Sequence, residues 1–203
     1  MRPRFRGVSH RVAFHISLVM GAVLVAHADR RGPVLVYALF MTTMFGVSAT
    51  LHRADWSPRV YTWLRRADHG AIFIAIAGTY TPFALIGLGG TAGYRLLALA
   101  YIVSGCGVIR AVAWPHAPRA ITAACFTAAG WVVIAYLPEF HAAVDPRTFA
   151  WIVVGGVTFT VGAIIYLTKL PDPWPRTFGY HEVFHALTIV GAAFHYAAIW
   201  RLS

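Results

Sequence analysis

Charge is what this sequence has least of. Only 12% of its 203 residues are Asp, Glu, Lys or Arg, where a soluble domain carries about 25%. So few charges cannot cover a water-facing surface, which excludes a soluble globule. Cysteine is scarcer still. Cys106 and Cys125 both sit inside apolar runs, so no disulfide scaffold holds the chain. Acidic side chains number 7 against 17 basic ones, a balance that in a soluble protein would suggest nucleic acid. What is abundant is apolar: 59% of residues are hydrophobic, which excludes disorder.

Uncharged runs cover residues 12–28, 32–52, 69–94, 96–109, 120–138, 148–168 and 183–200. Six of the seven approach or exceed the ~17–25 residues that a spanning helix needs. The fourth reaches that length if Arg95 and Arg110 snorkel from its two ends. The alternation of barrel strands is missing. The expected fold is all-α: an integral membrane bundle of seven transmembrane helices near 12–28, 33–52, 69–88, 93–113, 120–138, 148–168 and 180–200. No linker or change of composition divides the chain, so residues 1–203 read as one domain. The first run follows a basic stretch, as a signal peptide would, but His27-Ala28-Asp29-Arg30 offers no small-residue cleavage site, and the run reads as a helix. Pro82 should kink the third span. Gly191, Ala192 and Ala193 should let another helix approach the last one closely.

The basic residues are unevenly shared between the two ends of such a bundle. Arg2, Arg4, Arg6, Arg11, Arg53, Arg59, Arg65, Arg66, Arg110, Arg119, Lys169 and Arg176 fall on one side. Arg30, Arg31, Arg95, Arg147 and Arg201 fall on the other. The positive-inside rule therefore puts the N-terminus in the cytoplasm and the C-terminus outside. The net charge of +10 expresses this bias and an attraction to anionic headgroups; membrane lipids are the expected partners and nucleic acid is not.

Ionisable groups are expensive in a membrane, so each one asks for a partner. Ser48 and His52 lie four apart near the end of the second span and share a helical face. Asp68-His69 opens the third span on this reading, and His181 and His185, again four apart, open the seventh. The alternating directions of the helices bring all of them to the cytoplasmic end. Three imidazoles with one open position form a ligand set suited to zinc. Asp68 could orient a ligand or take a proton from water. Ser48 could orient that water or donate to a developing oxyanion. The other histidines read as interfacial or structural: His10, His116 and His141 at ends or loops, and His15 and His27 without a nearby pair. His69 points about 100° away from Asp68, and His195 lies about 15 Å beyond His185. The run His181-Glu182-Val183-Phe184-His185 also matches the zincin pattern, in which the Glu is a general base, but no third ligand for a protease follows residue 185.

These residues carry a resemblance. Ser48-x3-His52, the block Asp68-His69-Gly70-Ala71-Ile72-Phe73, the run Ala77-Gly78-Thr79-Tyr80-Thr81-Pro82-Phe83, and His181-Glu182-Val183-Phe184-His185 with Gly191 and His195-Tyr196 together resemble the hemolysin III family. That family is a bacterial branch of the group holding the progestin and adiponectin receptors, and it is similar more distantly to alkaline ceramidases. The resemblance runs from the first helix to the seventh. It implies a seven-helix protein of the bacterial inner (plasma) membrane with zinc near the cytoplasmic face. It also places the metal ligands on His52, His181 and His185, the acid on Asp68 and the hydroxyl on Ser48. In related receptors Gln can follow the first His of the last pair, which favours Asp68 over Glu182 as the working carboxylate. Leu51, where many relatives have an aromatic residue, and Arg53 are mild departures. The expected activity is zinc-dependent hydrolysis of a lipid amide or ester that enters laterally from the bilayer. The alternatives are a non-enzymatic receptor or sensor with structural zinc, and a pore of the kind the family name implies.

Overall fold

The structure is a computed structural model that describes residues 3–203; Arg2, counted in the charge bias, lies outside the described residues. Seven helices long and apolar enough to cross a membrane follow one another. They are α1 (Val8–His27), α2 (Arg31–Arg53), α3 (Pro58–Leu88), α4 (Gly90–Ala113), α5 (Arg119–Ala143), α6 (Pro146–Thr168) and α7 (Tyr180–Leu202). Among the described residues the one extended pairing is an isolated bridge between Trp174 and Phe178. The described residues are thus nearly all-helical with seven spans, as the uncharged runs imply.

Two helices begin well before the uncharged runs do. α1 starts at Val8 and continues through Arg11; α3 starts at Pro58 and continues through Arg59, Arg65 and Arg66. Arginine is a good helix former, and its long stem lets the charged head reach water while the backbone stays helical. Pro58 suits the first turn, where its missing N–H has no partner to lose. Asp68 and His69 therefore do not open α3: they lie ten residues into it, about three turns.

Pro82 marks a change of helix type. The α-helix runs Pro58–Pro82 and passes into a π-helical turn over Phe83–Leu88, since proline cannot donate to the carbonyl four residues back. α5 changes type as well, from an α-helix over Arg119–Gly130 to a 3-10 turn over Trp131–Tyr136 and back to α over Leu137–Ala143. Backbone groups loosened there have no water to turn to inside a bilayer. The Tyr80 hydroxyl serves two of them, donating to the Gly130 carbonyl at 2.6 Å and accepting from the Val133 N–H at 3.0 Å.

Sequence neighbours pack side by side, and α1 meets α7 to close the bundle. α3 is the most buried span and touches α2, α4, α5 and α7. Small side chains allow this. A Cβ on Gly78 would come within 2.7 Å of Phe40, and one on Gly107 within 2.2 Å of the Phe73 ring. Gly191 and Ala192 are buried, and a Cβ on Gly191 would reach Phe159 of α6 at 3.0 Å; Ala193 faces outward instead. The outer surface is apolar, with Val12, Ile16, Val19, Ile102, Ile109 and Ile134 exposed, as a lipid-facing surface requires.

Candidate metal centre

The centre lies where the C-terminal end of α2 meets the N-terminal turns of α7, at the arginine-rich end of the bundle. α2 carries Ser48 and His52 on one face, one turn apart. The start of α7 is fixed by two carboxylates. Asp172 accepts from the Tyr180 N–H at 2.8 Å, and Glu182 reaches back to the Gly179 N–H at 2.9 Å. His181 and His185, on successive turns, then face α2.

His52, His181 and His185 each present a nitrogen to one point, the three nitrogens lying within 4.8 Å of one another. Their ring centroids are 4.5 to 5.1 Å apart. His181 Nε2 and His185 Nδ1 are buried and have no hydrogen-bond partner. Buried polar atoms are ordinarily satisfied, so two orphaned imidazole nitrogens in one cluster fit a ligand set for a metal ion. With bonds of about 2.0–2.1 Å, a tetrahedral zinc would need the rings to close by about an ångström. Asp68 adds a carboxylate, its Oδ2 3.9 Å from His52 Nε2. Ser48 is buried and lines the same cavity as Asp68. The five residues singled out in the sequence thus converge although up to 137 positions separate them. His69 is adjacent but packs on Phe126, ring centroids 6.0 Å apart. His195 is held elsewhere, against the Ile152 carbonyl at 3.1 Å.

One part of the site is not legible as a motif. His10, read in the sequence as a residue at a helix end, is buried on α1. Its Nδ1 lies 2.9 Å from the Ser48 hydroxyl and its ring stacks on His185. The segment before α1 folds over the centre. Arg4 and Phe5 donate backbone hydrogen bonds to the carbonyls of Arg176 and Thr177, both at 3.1 Å. Gly7 turns the chain with φ 74°, and a Cβ there would lie 2.8 Å from His52 Cβ, so glycine is required twice over. Arg6 pairs with Glu182. Glu182 is therefore engaged through both oxygens, by Arg6 and by the Gly179 N–H, and is not placed as a zincin base. The signal that would have found His10 is the helix continuing back through Arg11, which puts His10 in the first turn of α1.

Below the three histidines a cavity of about 360 Å³ runs into the bundle. Its walls include Met41, Met44, Ile72, Ile76, Val133 and Phe159, and His195 lines it as well.

Comparison with known proteins fits this arrangement. The family profile described as "Haemolysin-III related" matches residues 1–196. The chain belongs to the haemolysin-III related family. It is similar to "Hemolysin-3" of Bacillus cereus, 28% identical over 92% of this chain and 84% of that one. It is 26% identical to "Hemolysin-3 homolog" of Bacillus subtilis (strain 168), over 92% of this chain and 87% of the relative. A plant relative, "Heptahelical transmembrane protein ADIPOR2" of Oryza sativa subsp. japonica, is 27% identical over 86% of each chain. The haemolysin-III related assignment and the seven apolar helices together make this a multi-pass membrane protein related to adiponectin receptors.

Proposed function

We propose that this haemolysin-III related protein is a zinc-dependent hydrolase of a lipid amide or ester, seated in the bacterial inner (plasma) membrane with its centre toward the cytoplasm. One observation carries the reading: three imidazoles and a carboxylate converge at the mouth of an apolar cavity. His52, His181 and His185 would hold the zinc, which when bound lowers the pKa of water toward about 7 and polarises a carbonyl. Asp68 orients the His52 ring and accepts a proton from water. When His10 Nδ1–H donates to Ser48, that hydroxyl keeps its own proton to offer to an oxygen gaining charge in the transition state. The substrate enters laterally from the bilayer and lays its apolar chain in the cavity.

The test is a panel of ceramides, acyl amides and ester lipids given to purified, zinc-loaded protein. Fatty acid release that disappears in Asp68→Ala, while zinc content is retained, is the expected result. A full panel without turnover in the wild type would overturn the reading.

The N-terminal cover favours a second reading, a receptor or sensor in which zinc staples α2 to α7. The Arg6–Glu182 pair and the His10–His185 stack close the site from the same side. A chelator would then lower the thermal stability with no activity to lose.

A further inference from the structure

A groove of about 600 Å³ lies on the outside of the bundle, over α2 and between α1 and α3. It shares no lining residue with the cavity beneath the metal centre. Its two ends differ in chemistry. At the arginine-rich end stand Arg11 and Arg53, both exposed. Gly7 brings them together: the Arg11 N–H donates to the Gly7 carbonyl at 3.1 Å, and a Cβ on Gly7 would lie 3.3 Å from Arg53 Cγ. Among the described residues neither guanidinium pairs with a carboxylate. The groove reaches Thr43, ten residues and about 15 Å along α2 from Arg53. Gly46, Val47 and Ala49 floor it, with Phe14 on one side and Leu64 and Ala67 on the other. The remaining polar groups are engaged with their own helices. Thr43 and Thr50 donate to the carbonyls of Leu39 and Gly46, and His15 Nδ1 donates to the Arg11 carbonyl, all at 2.8 Å. That leaves the two guanidiniums as the free side-chain donors among the described lining residues.

We infer that this groove binds one anionic glycerophospholipid, its phosphate between Arg11 and Arg53 and an acyl chain along the floor formed by α2. Guanidiniums present paired donors that match phosphate oxygens, and a groove that is cationic at headgroup level and mostly apolar below matches such a lipid end to end. A free phosphate would leave the apolar floor uncovered. A zwitterionic lipid would bring its own cation to the arginines. The clasp ties α1 to α2 directly beside the metal centre, since Arg11 follows His10 and Arg53 follows His52 in the chain. The inference concerns a separate site and holds whether or not the protein is a hydrolase.

The test is native mass spectrometry of the purified full-length protein, titrated in detergent with phosphatidylglycerol or phosphatidylcholine. Wild type should retain one phosphatidylglycerol per chain in preference to phosphatidylcholine, and inorganic phosphate should not displace it. Arg11→Gln/Arg53→Gln should lower the phosphatidylglycerol affinity about twenty-five-fold, about five-fold for each cation removed from an anionic lipid. Arg59→Gln/Arg176→Gln removes the same charge from the same end, at exposed positions outside the groove, and should keep the wild-type affinity. Ala67→Trp leaves both arginines in place but fills the groove from α3, and it should weaken binding as well, which attraction by charge alone does not predict. Phosphatidylglycerol should also raise the melting temperature of wild type and not that of Arg11→Gln/Arg53→Gln, a measurement that shows at the same time that each variant is folded. No preference for phosphatidylglycerol in wild type, an equal loss in the two double variants, displacement by inorganic phosphate, or binding unchanged in Ala67→Trp would each overturn the assignment.

Discussion

His10 lies face to face with His185, their ring centroids 3.8 Å apart and their planes 5° from parallel. One ring belongs to the first span and the other to the last, so the contact joins the two ends of the chain across the seam that closes the bundle. His10 also reaches Ser48 on α2. A single side chain thereby sets the tilt of a candidate ligand and the position of the candidate hydroxyl.

Removing His10 should weaken metal binding without deleting a ligand. Loss of a group that orients a ligand typically costs 10–100-fold in affinity, and about ten-fold is expected for His10→Ala. Zinc titration against a chelator of known affinity measures it. His10→Phe keeps a stacking ring but cannot bond Ser48, so it should fall between wild type and His10→Ala. Equal affinities for all three proteins would show that the stack has no such role.

The Arg6–Glu182 pair should hold the N-terminal segment over the centre. Glu182 is nearly inaccessible, its side chain 2% exposed against 20% for Arg6. Arg6→Ala would leave a buried carboxylate without its cation, and breaking such a pair costs about 3 kcal/mol or more. Glu182→Gln removes the buried charge instead and leaves Arg6 its access to water, so it should cost less. Thermal unfolding in detergent should rank the proteins wild type, Glu182→Gln, Arg6→Ala. Glu182→Gln should also retain any hydrolytic turnover, which a general base in that position would not allow.

The sequence shows the spans clearly, because formal charges interrupt apolar runs and a bilayer tolerates few of them. His52, Asp68, His181 and His185 are legible for a related reason: alternating helix directions alone bring them to one end. Helix starts are less clear, because Arg11 and Arg65 break a charge-based pattern without breaking the backbone helix. That is why His10 escapes notice and why Asp68 reads as a first-turn residue. The Arg6–Glu182 contact spans 176 positions and follows no helical period, so only the folded chain reveals it. The cavity depends on how side chains of several helices leave space among them, which no single run encodes.

Glycine positions should divide sharply by what surrounds them. A Cβ at Gly93 would lie 2.2 Å from the Ala84 carbonyl oxygen. That oxygen cannot easily retreat, since it accepts from the Gly89 N–H at 2.9 Å across the π-helical turn. Gly93→Ala should therefore destabilise by about 2 kcal/mol or more, as overpacking against a fixed group does. At Gly105, on the same helix, a Cβ would meet nothing within 4 Å. Gly105→Ala should be neutral or slightly stabilising, because alanine favours the helix by roughly 1 kcal/mol. Paired melting curves check the contrast, and similar losses in both variants would contradict it.

Asp145 caps α6 and should give the protein an acid-sensitive helix end. It accepts from the Arg147 and Thr148 N–H groups at 3.1 and 3.3 Å and from the Thr148 hydroxyl, and it pairs with Arg201 at 3.2 Å. These contacts, the Thr148 hydroxyl foremost, pull its pKa down to about 2. The carboxylate form is thus favoured more in the folded state than in the unfolded one, where the group titrates near about 3.9. Its contribution is complete above that value and is lost as the pH falls toward about 2. Asp145→Asn should lower the melting temperature by a constant amount from neutral pH down to about pH 5. Below that, the wild-type advantage should shrink and be largely gone near pH 2. A difference that stays flat through the acid range would mean that the charge on Asp145 contributes nothing to the cap.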